Sequence, residues 1–247
     1  MLLSQIKTLD GNSRVVVRDG TEAYIISGVS STYELVMKSI KNGLTLAEQI
    51  NRLEFEQAVD LHHLHHRHQL ITPIDKPSDI HMHVSGLQEM RTMPKIAEIS
   101  VVGQDGNLFT VGFCMAYILP TELISHRAAP LSLQVGEDAV LLGPEILTGD
   151  LPEAIMGTLS QVRNGQVIYK DRLSLNEIFI AYPRVKFKFE TSHTADVFIQ
   201  LFSPFERFQT PDTKMQDGDV FELAIDQFGL PLDNPWKPNM LQKQARA

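Results

Sequence analysis

The chain has 247 residues, 43% hydrophobic and 21% charged, with 15 Gly and 13 Pro, a composition that excludes disordered, collagen-like and coiled-coil classes. Its 22 Lys+Arg stand against 30 Asp+Glu, a net charge of -8, so no global field gathers nucleic-acid phosphates and nucleic acid is not expected as a partner. A chain of this length closes a hydrophobic core without disulfides or a structural metal, so any metal or cofactor would serve chemistry.

In chain order, Met1 to Lys7 lacks the charged start and apolar run of a signal peptide. No later stretch reaches the ~18 apolar residues of a membrane span. The expectation is a cytoplasmic protein with no membrane partner. Residues 1 to 27 alternate short apolar runs, Val15-Val16-Val17 and Ile25-Ile26 among them, around the turn signals Asp10-Gly11-Asn12 and Asp19-Gly20, which predicts an antiparallel meander. Ser30-Ser31-Thr32 offers an N-cap to a helix carrying Leu35, Val36 and Ile40 and ended by Asn42-Gly43, and Thr45 caps another through Ala47 and Ile50.

These elements predict a small α+β N-terminal domain over 1–76, closed by a linker at Thr72-Pro73-Ile74-Asp75-Lys76-Pro77. From 77 to 236 the chain reads as a mainly β domain. Ile96 to Val102 and Leu108 to Met115 flank Gly103-Gln104-Asp105-Gly106-Asn107 as a hairpin, and Gly165–Tyr169, Arg184–Phe189, Val197–Phe202 and Val220–Ile225 are further strand candidates. The polar tail 237–247 is expected to fray.

Cys114, the single cysteine, excludes an internal disulfide and any multi-thiolate metal site; its apolar neighbours point to a core thiol rather than a nucleophile. His62-His63-Leu64-His65-His66-Arg67-His68 places His62, His65 and His66 on one helical face. That face suits a transition metal, but it lacks the carboxylate and supporting shell of a built site, so an exposed, weakly chelating patch is expected. His81 and His83 alternate onto one face of a strand, with His126, Glu122 and Glu98 as conceivable third ligands; solvated or hydrogen-bonded imidazoles are the better reading. Dinucleotide, P-loop, nucleophile-elbow and HExxH signatures are all missing. The carboxylate pairs Glu137-Asp138 and Asp217 with Asp219 sit in turn contexts, where short acidic residues bond the local backbone.

Asp217-Gly218-Asp219-Val220-Phe221-Glu222-Leu223, followed by Phe228-Gly229-Leu230-Pro231-Leu232-Asp233-Asn234-Pro235, resembles the "GDVFEI…FGRPLRNPL" ending of the 2-keto-3-deoxy-arabonate dehydratase branch of the fumarylacetoacetate hydrolase superfamily. Gly143-Pro144-Glu145-Ile146, Gly112-Phe113, Val84-Ser85-Gly86-Leu87 and the N-terminal meander resemble it too, in the same order. The resemblance spans nearly the whole chain. It implies an α+β, mainly β fold: a mixed β-sandwich or roll preceded by a small α+β domain, commonly as a homodimer. It also implies chemistry on a 2-keto-carboxylate polarised by a divalent cation, usually magnesium, on three carboxylates.

This chain departs from that pattern at the metal. The resemblance places Met93-Pro94-Lys95 where the family has Glu-Pro-Glu, and Tyr117-Ile118 where the third carboxylate stands. The family's lysine before Gly-Pro-Glu falls near Gly136, its carboxylate-binding loop near Ser203-Pro204-Phe205, and the segment after its "GLTH"-like motif is cut short between Leu87 and Pro94. The magnesium site therefore reads as lost, with no cofactor. Lys95 puts an ammonium in the cation's place.

The expectation is a metal-independent lyase, isomerase, decarboxylase or cyclase on a small keto acid or carboxylate. Lys95 is its electrophile, and Glu89, Arg91, Tyr117 and Glu122 are the neighbouring acid/base or binding groups. Two alternatives remain. One is a non-catalytic binding protein whose pocket is filled by Met93, Phe113, Ile118 and Phe205; the other is a metal-dependent dehydratase with histidines or Glu98 as substitute ligands.

Overall fold

A computed structural model describes residues 1–74, 82–85, 94–103, 105–121, 124, 128–174, 196–202, 216 and 218–235. The expected meander forms from β1 (Leu2–Lys7), β2 (Ser13–Asp19) and β3 (Glu22–Ile26), with β1 and β2 in register from Leu2↔Arg18 to Lys7↔Ser13. Helix α1 (Thr32–Asn42) starts where Ser31 Oγ accepts the Glu34 N–H at 3.0 Å, stops at Gly43, and buries Leu35 and Val36. In α2 (Leu46–Ile50), Thr45 and Glu48 form a reciprocal capping box. β4 (Phe55–Ala58) pairs with β3, and α3 (Leu61–His66), capped by Asp60 on the His63 N–H, leads into β5 (Leu70–Ile71), which pairs with β1.

Beyond β1 lies β11 (Glu145–Thr148), antiparallel with Leu3 opposite Ile146. Through it the meander continues into β8 (Leu108–Pro120), β7 (Lys95–Val102), β14 (Val197–Phe202) and β6 (Met82–Ser85); β9 (Ser132–Val135) and β10 (Asp138–Leu142) attach to β8. This sheet holds 12 of the described strands. A second, four-stranded sheet runs β13 (Gln166–Ser174), β12 (Met156–Arg163), β15 (Val220–Ile225) and β16 (Leu232–Pro235). The predicted Arg184–Phe189 strand and the 237–247 tail lie outside the described residues.

Thr72 to Ile74, expected in a linker, are buried instead: Gln5 Nε2 donates to the Thr72 carbonyl at 2.6 Å, and the Thr72 N–H donates to the Pro130 carbonyl at 2.8 Å. These two bonds satisfy backbone that a free spacer would leave to water. Asp138, expected in a turn, opens β10 and is buried.

Strand alternation gives the β7/β8 hairpin two apolar faces. Ala97, Ile99, Cys114, Ala116 and Ile118 join Leu3, Leu35 and Val36 in one core; Ile96, Phe113, Met115, Tyr117 and Leu119 join Leu223, Ile225 and Phe228 in the other. Each fully buried aliphatic or Phe side chain contributes about 1.5–3 kcal/mol before the entropy of ordering it is subtracted. Cys114 is the buried thiol expected, its pKa pushed up to about 12 by burial. Among the described residues no helix is long and apolar enough to cross a membrane.

Candidate functional site

Lys95 is the first residue of β7 and has 0% of its surface exposed. It pairs with Ala116 of β8, which pairs in turn with Leu142 of β10. Directly opposed residues share a face, so the Lys95 side chain leaves the sheet with Ala116 and Leu142, on the side where Ile118 also packs. An ammonium buried here costs several kcal/mol unless an opposite charge compensates it, and the same register puts the buried Asp138 of β10 on this face.

Tyr117 does not share that position. It is one residue along from Ala116 and therefore points into the other core, with Phe113 and Met115, where burial alone pushes its hydroxyl pKa well above the usual phenol value. The expected Lys95–Tyr117 partnership is corrected by the register: the two side chains lie on opposite faces. Glu98, paired with Phe113, is also on the Tyr117 face and accepts the Thr110 hydroxyl at 3.4 Å. Phe113 and Ile118, expected to fill one pocket together, are buried on opposite faces as well. Glu89, Arg91, Glu122, Met93, His81, His126 and Ser203 to Phe205 lie outside the described residues.

Magnesium requires several oxygen ligands. Along β7, β8 and β10 the described residues on the Lys95 face are apolar apart from Lys95 itself and the buried Asp138, and among the described residues no three His, Cys, Asp or Glu side chains gather where they could hold a metal ion. The described residues therefore do not fit a magnesium site.

The motifs that carry the resemblance act as clamps. Glu145, with 0% side-chain exposure, accepts Arg18 Nε at 2.9 Å and Nη2 at 2.6 Å, and its Oε2 also accepts the Leu230 N–H at 2.7 Å. The Gly-Pro-Glu and Phe-Gly-Leu-Pro segments thus meet at one carboxylate. Gly229, at φ +81°, has no alternative there, because a Cβ would collide with Glu145 Oε2 and Arg18 Nη2. Burial raises the Glu145 pKa, against the lowering effects of the Leu230 N–H, Arg18 and His62.

Asp219, read as a turn carboxylate bonding the local backbone, does accept such a bond from Gln216, and it is also a fully buried clamp. It accepts Arg163 Nε at 2.7 Å, Arg163 Nη2 at 2.8 Å, Gln161 Nε2 at 2.7 Å and the Gln216 N–H at 2.9 Å. Arg163, foremost among these donors, holds its pKa down at about 2.

The histidine run folds as α3 and the turn after it. His62 and His63 face solvent, while His65 turns inward with 12% side-chain exposure. A cavity of about 210 Å³ opens between His65, His66 and His68 on one side and Val220, Asp233 and Pro235 on the other. His65 Nε2 stands 3.8 Å from Asp233 Oδ2. Burial first, then the charges of His66, His68 and His62, pushes the His65 pKa down to about 4. Burial and Glu222 push that of Asp233 up to about 7. Sequence reasoning gave Asp233 no role beside the histidines, because it is remote from His65 in the chain and only the placement of β16 brings the two together.

No family profile matches the chain, and no curated protein matches it. Solved structures do. A 2-keto-3-deoxy-D-arabinonate dehydratase in its apo form superposes with a TM-score of 0.58 at 13% identity, covering 95% of this chain and 98% of that one. The 2-keto-3-deoxy-D-arabinonate dehydratase complexed with magnesium and 2,5-dioxopentanoate gives 0.56 at 15% identity with the same coverage. A hexagonal crystal form of 2-keto-3-deoxyarabinonate dehydratase gives 0.57 at 14%, covering 96% and 99%. The chain has the fold of these dehydratases, the fold implied by its resemblance to the dehydratase branch of the fumarylacetoacetate hydrolase superfamily.

Proposed function

We propose that this chain is a divergent member of the fumarylacetoacetate hydrolase superfamily that binds a small 2-keto acid without a metal and carries out a lyase, isomerase, decarboxylase or cyclase step on it. The observation that carries the reading is Lys95, a fully buried ammonium at the first residue of β7, where the resemblance has a magnesium carboxylate. One dehydratase of this fold is complexed with magnesium and 2,5-dioxopentanoate. In that role a cation draws electron density from the ketone oxygen and favours the enolate. A lysine N–H donates to the same oxygen and supplies the positive charge from the chain itself.

In this reading Lys95 orients the 2-keto carboxylate and stabilises the enolate. The acid/base and binding work falls to Glu89, Arg91 and Glu122, the remaining groups of the sequence reading, with Arg91 as a binding cation, and Tyr117 is dropped from it by its face. The test is a thermal-shift series with oxalate, pyruvate and 2-keto-3-deoxy sugar acids, in EDTA and in magnesium. A ligand at 100 times its Kd adds about 2.7 kcal/mol, a rise of about 5–10 °C for a chain of this size. Stabilisation in EDTA supports the proposal. Stabilisation only in magnesium, or by none of the acids, overturns it, the latter in favour of a protein that kept the fold without the chemistry.

A further inference from the structure

We infer that the outward face of the four-stranded sheet is a pairing surface for a second copy of this chain, about a two-fold axis that runs along β12. The other face of that sheet, with Leu159, Leu173, Leu223 and Ile225, is buried in the second core. Met156, Val167 and Ile168, all on β12 and β13, are three of the five large apolar side chains exposed among the described residues, Met156 at 72% and Val167 at 58%. Val167 is directly opposite Val162, and Val162 is opposite Val220, so an apolar row crosses the face. Contiguous apolar surface left in water marks an interaction site.

The registers select the partner. Residues directly opposed in a ladder share a face, so rows run across β13, β12 and β15. Beside the valine row lies Lys170, Ser160 and Glu222, and beyond it Arg172, Thr158 and Ala224. Among the described residues neither Lys170 nor Glu222 has an ion-pair partner, and Ser160 is buried between them. A two-fold axis along β12 lays β13 of each copy over β15 of the other and keeps each row above itself. Lys170 then meets the partner's Glu222 at two equivalent contacts, Val167 meets the partner's Val220, and Arg172 meets the partner's Ala224. The small Ser160 and Thr158 lie on the axis. Packed sheets stand about 10 Å apart, a gap that a lysine and a glutamate bridge end to end. Val220 also lines the cavity beside α3, which gives the partner's Val167 and Ile168 a recess to enter. A face that is basic along one strand and acidic two strands away complements a copy of itself.

The experiment is sedimentation velocity of the full chain from about 1 μM to about 500 μM. The expected result is a dimer of the parent. Lys170→Glu and Glu222→Lys each set like charges face to face at both contacts, so either should weaken the dimer at least about tenfold. An equimolar mixture of the two variants sets opposite charges at both contacts and should restore it. A parent that stays monomeric across the range, a dimer that either variant leaves unchanged, or a mixture with no more dimer than its components overturns the inference. If a charge variant does not fold, Val167→Asp replaces it: a weakened dimer supports the face and an unchanged one overturns it.

Discussion

Replacing Arg18 with Met strands the Glu145 carboxylate. Glu145 has 0% side-chain exposure and Arg18 has 17%, and Arg18 supplies two of the three hydrogen bonds at 2.9 and 2.6 Å. Breaking a buried pair from one side typically costs 3–5 kcal/mol. Here the Leu230 N–H stays in place at 2.7 Å, which points to the lower end, about 3 kcal/mol. For a chain of this size that lowers Tm by about 6–12 °C. The pH sign follows from the raised Glu145 pKa. A carboxyl with a raised folded-state pKa contributes stability that is present below its unfolded pKa and lost as pH rises through the folded one, and removing Arg18 raises it further, so the deficit of Arg18→Met grows as pH rises above the ordinary carboxylate range. Urea unfolding of Arg18→Met, Glu145→Leu and the double variant forms the cycle. The double variant should recover most of the loss, since an apolar pair leaves no stranded charge. Arg18→Met within about 0.5 kcal/mol of the parent, the ordinary range of a surface change, would refute the clamp.

Gly229→Ala forces a Cβ into the same pair at φ +81°, and its thermal destabilisation should be at least that of Arg18→Met and not additive with it. Asp219→Asn should cost about 2 kcal/mol near neutral pH by weakening the Arg163 fork. The folded-state Asp219 pKa of about 2 lies below the ordinary 3.8, so its contribution is present above about pH 4 and fades toward pH 2; acid titrations of the variant and parent should therefore converge. His65 and Asp233 oppose each other. The low His65 pKa, about 4 against 6.5, removes stability as pH falls through that window, while the high Asp233 pKa, about 7 against 3.8, removes it as pH rises. Between pH 4 and 6.5 the pair should nearly cancel, so Asp233→Asn should become acid-sensitive and His65→Gln should lose stability as pH rises. A parallel pH dependence in both variants would contradict the assignment.

The elements specified by neighbours in sequence were legible. Ser31 and Gly43 bracket α1, Thr45 with Glu48 starts α2, and the β7/β8 turn closes on Asp105 and Asn107, as its Gly/Asp composition predicts. β10 was missed because Asp138-Ala139-Val140-Leu141-Leu142 is buried along its whole length and shows no alternation. The clamps were missed as clamps because their partners are remote: Arg18 and Glu145 are 127 residues apart and Arg163 and Asp219 are 56. Charge and turn signals describe such residues only one at a time. Lys95 stood out as a departure from a family pattern, but its face does not follow from the substitution; it follows from the Lys95↔Ala116 register, which separates it from Tyr117.

The most direct test of the central claim is calorimetric titration of oxalate into the parent protein and Lys95→Met, both in EDTA. Met fills much of the space of a lysine stem without the charge, and a thermal melt establishes that the variant is folded before it is titrated. The account predicts EDTA-resistant binding to the parent and its loss in Lys95→Met. Binding that survives in Lys95→Met, or that the parent shows only once magnesium is restored, would contradict it.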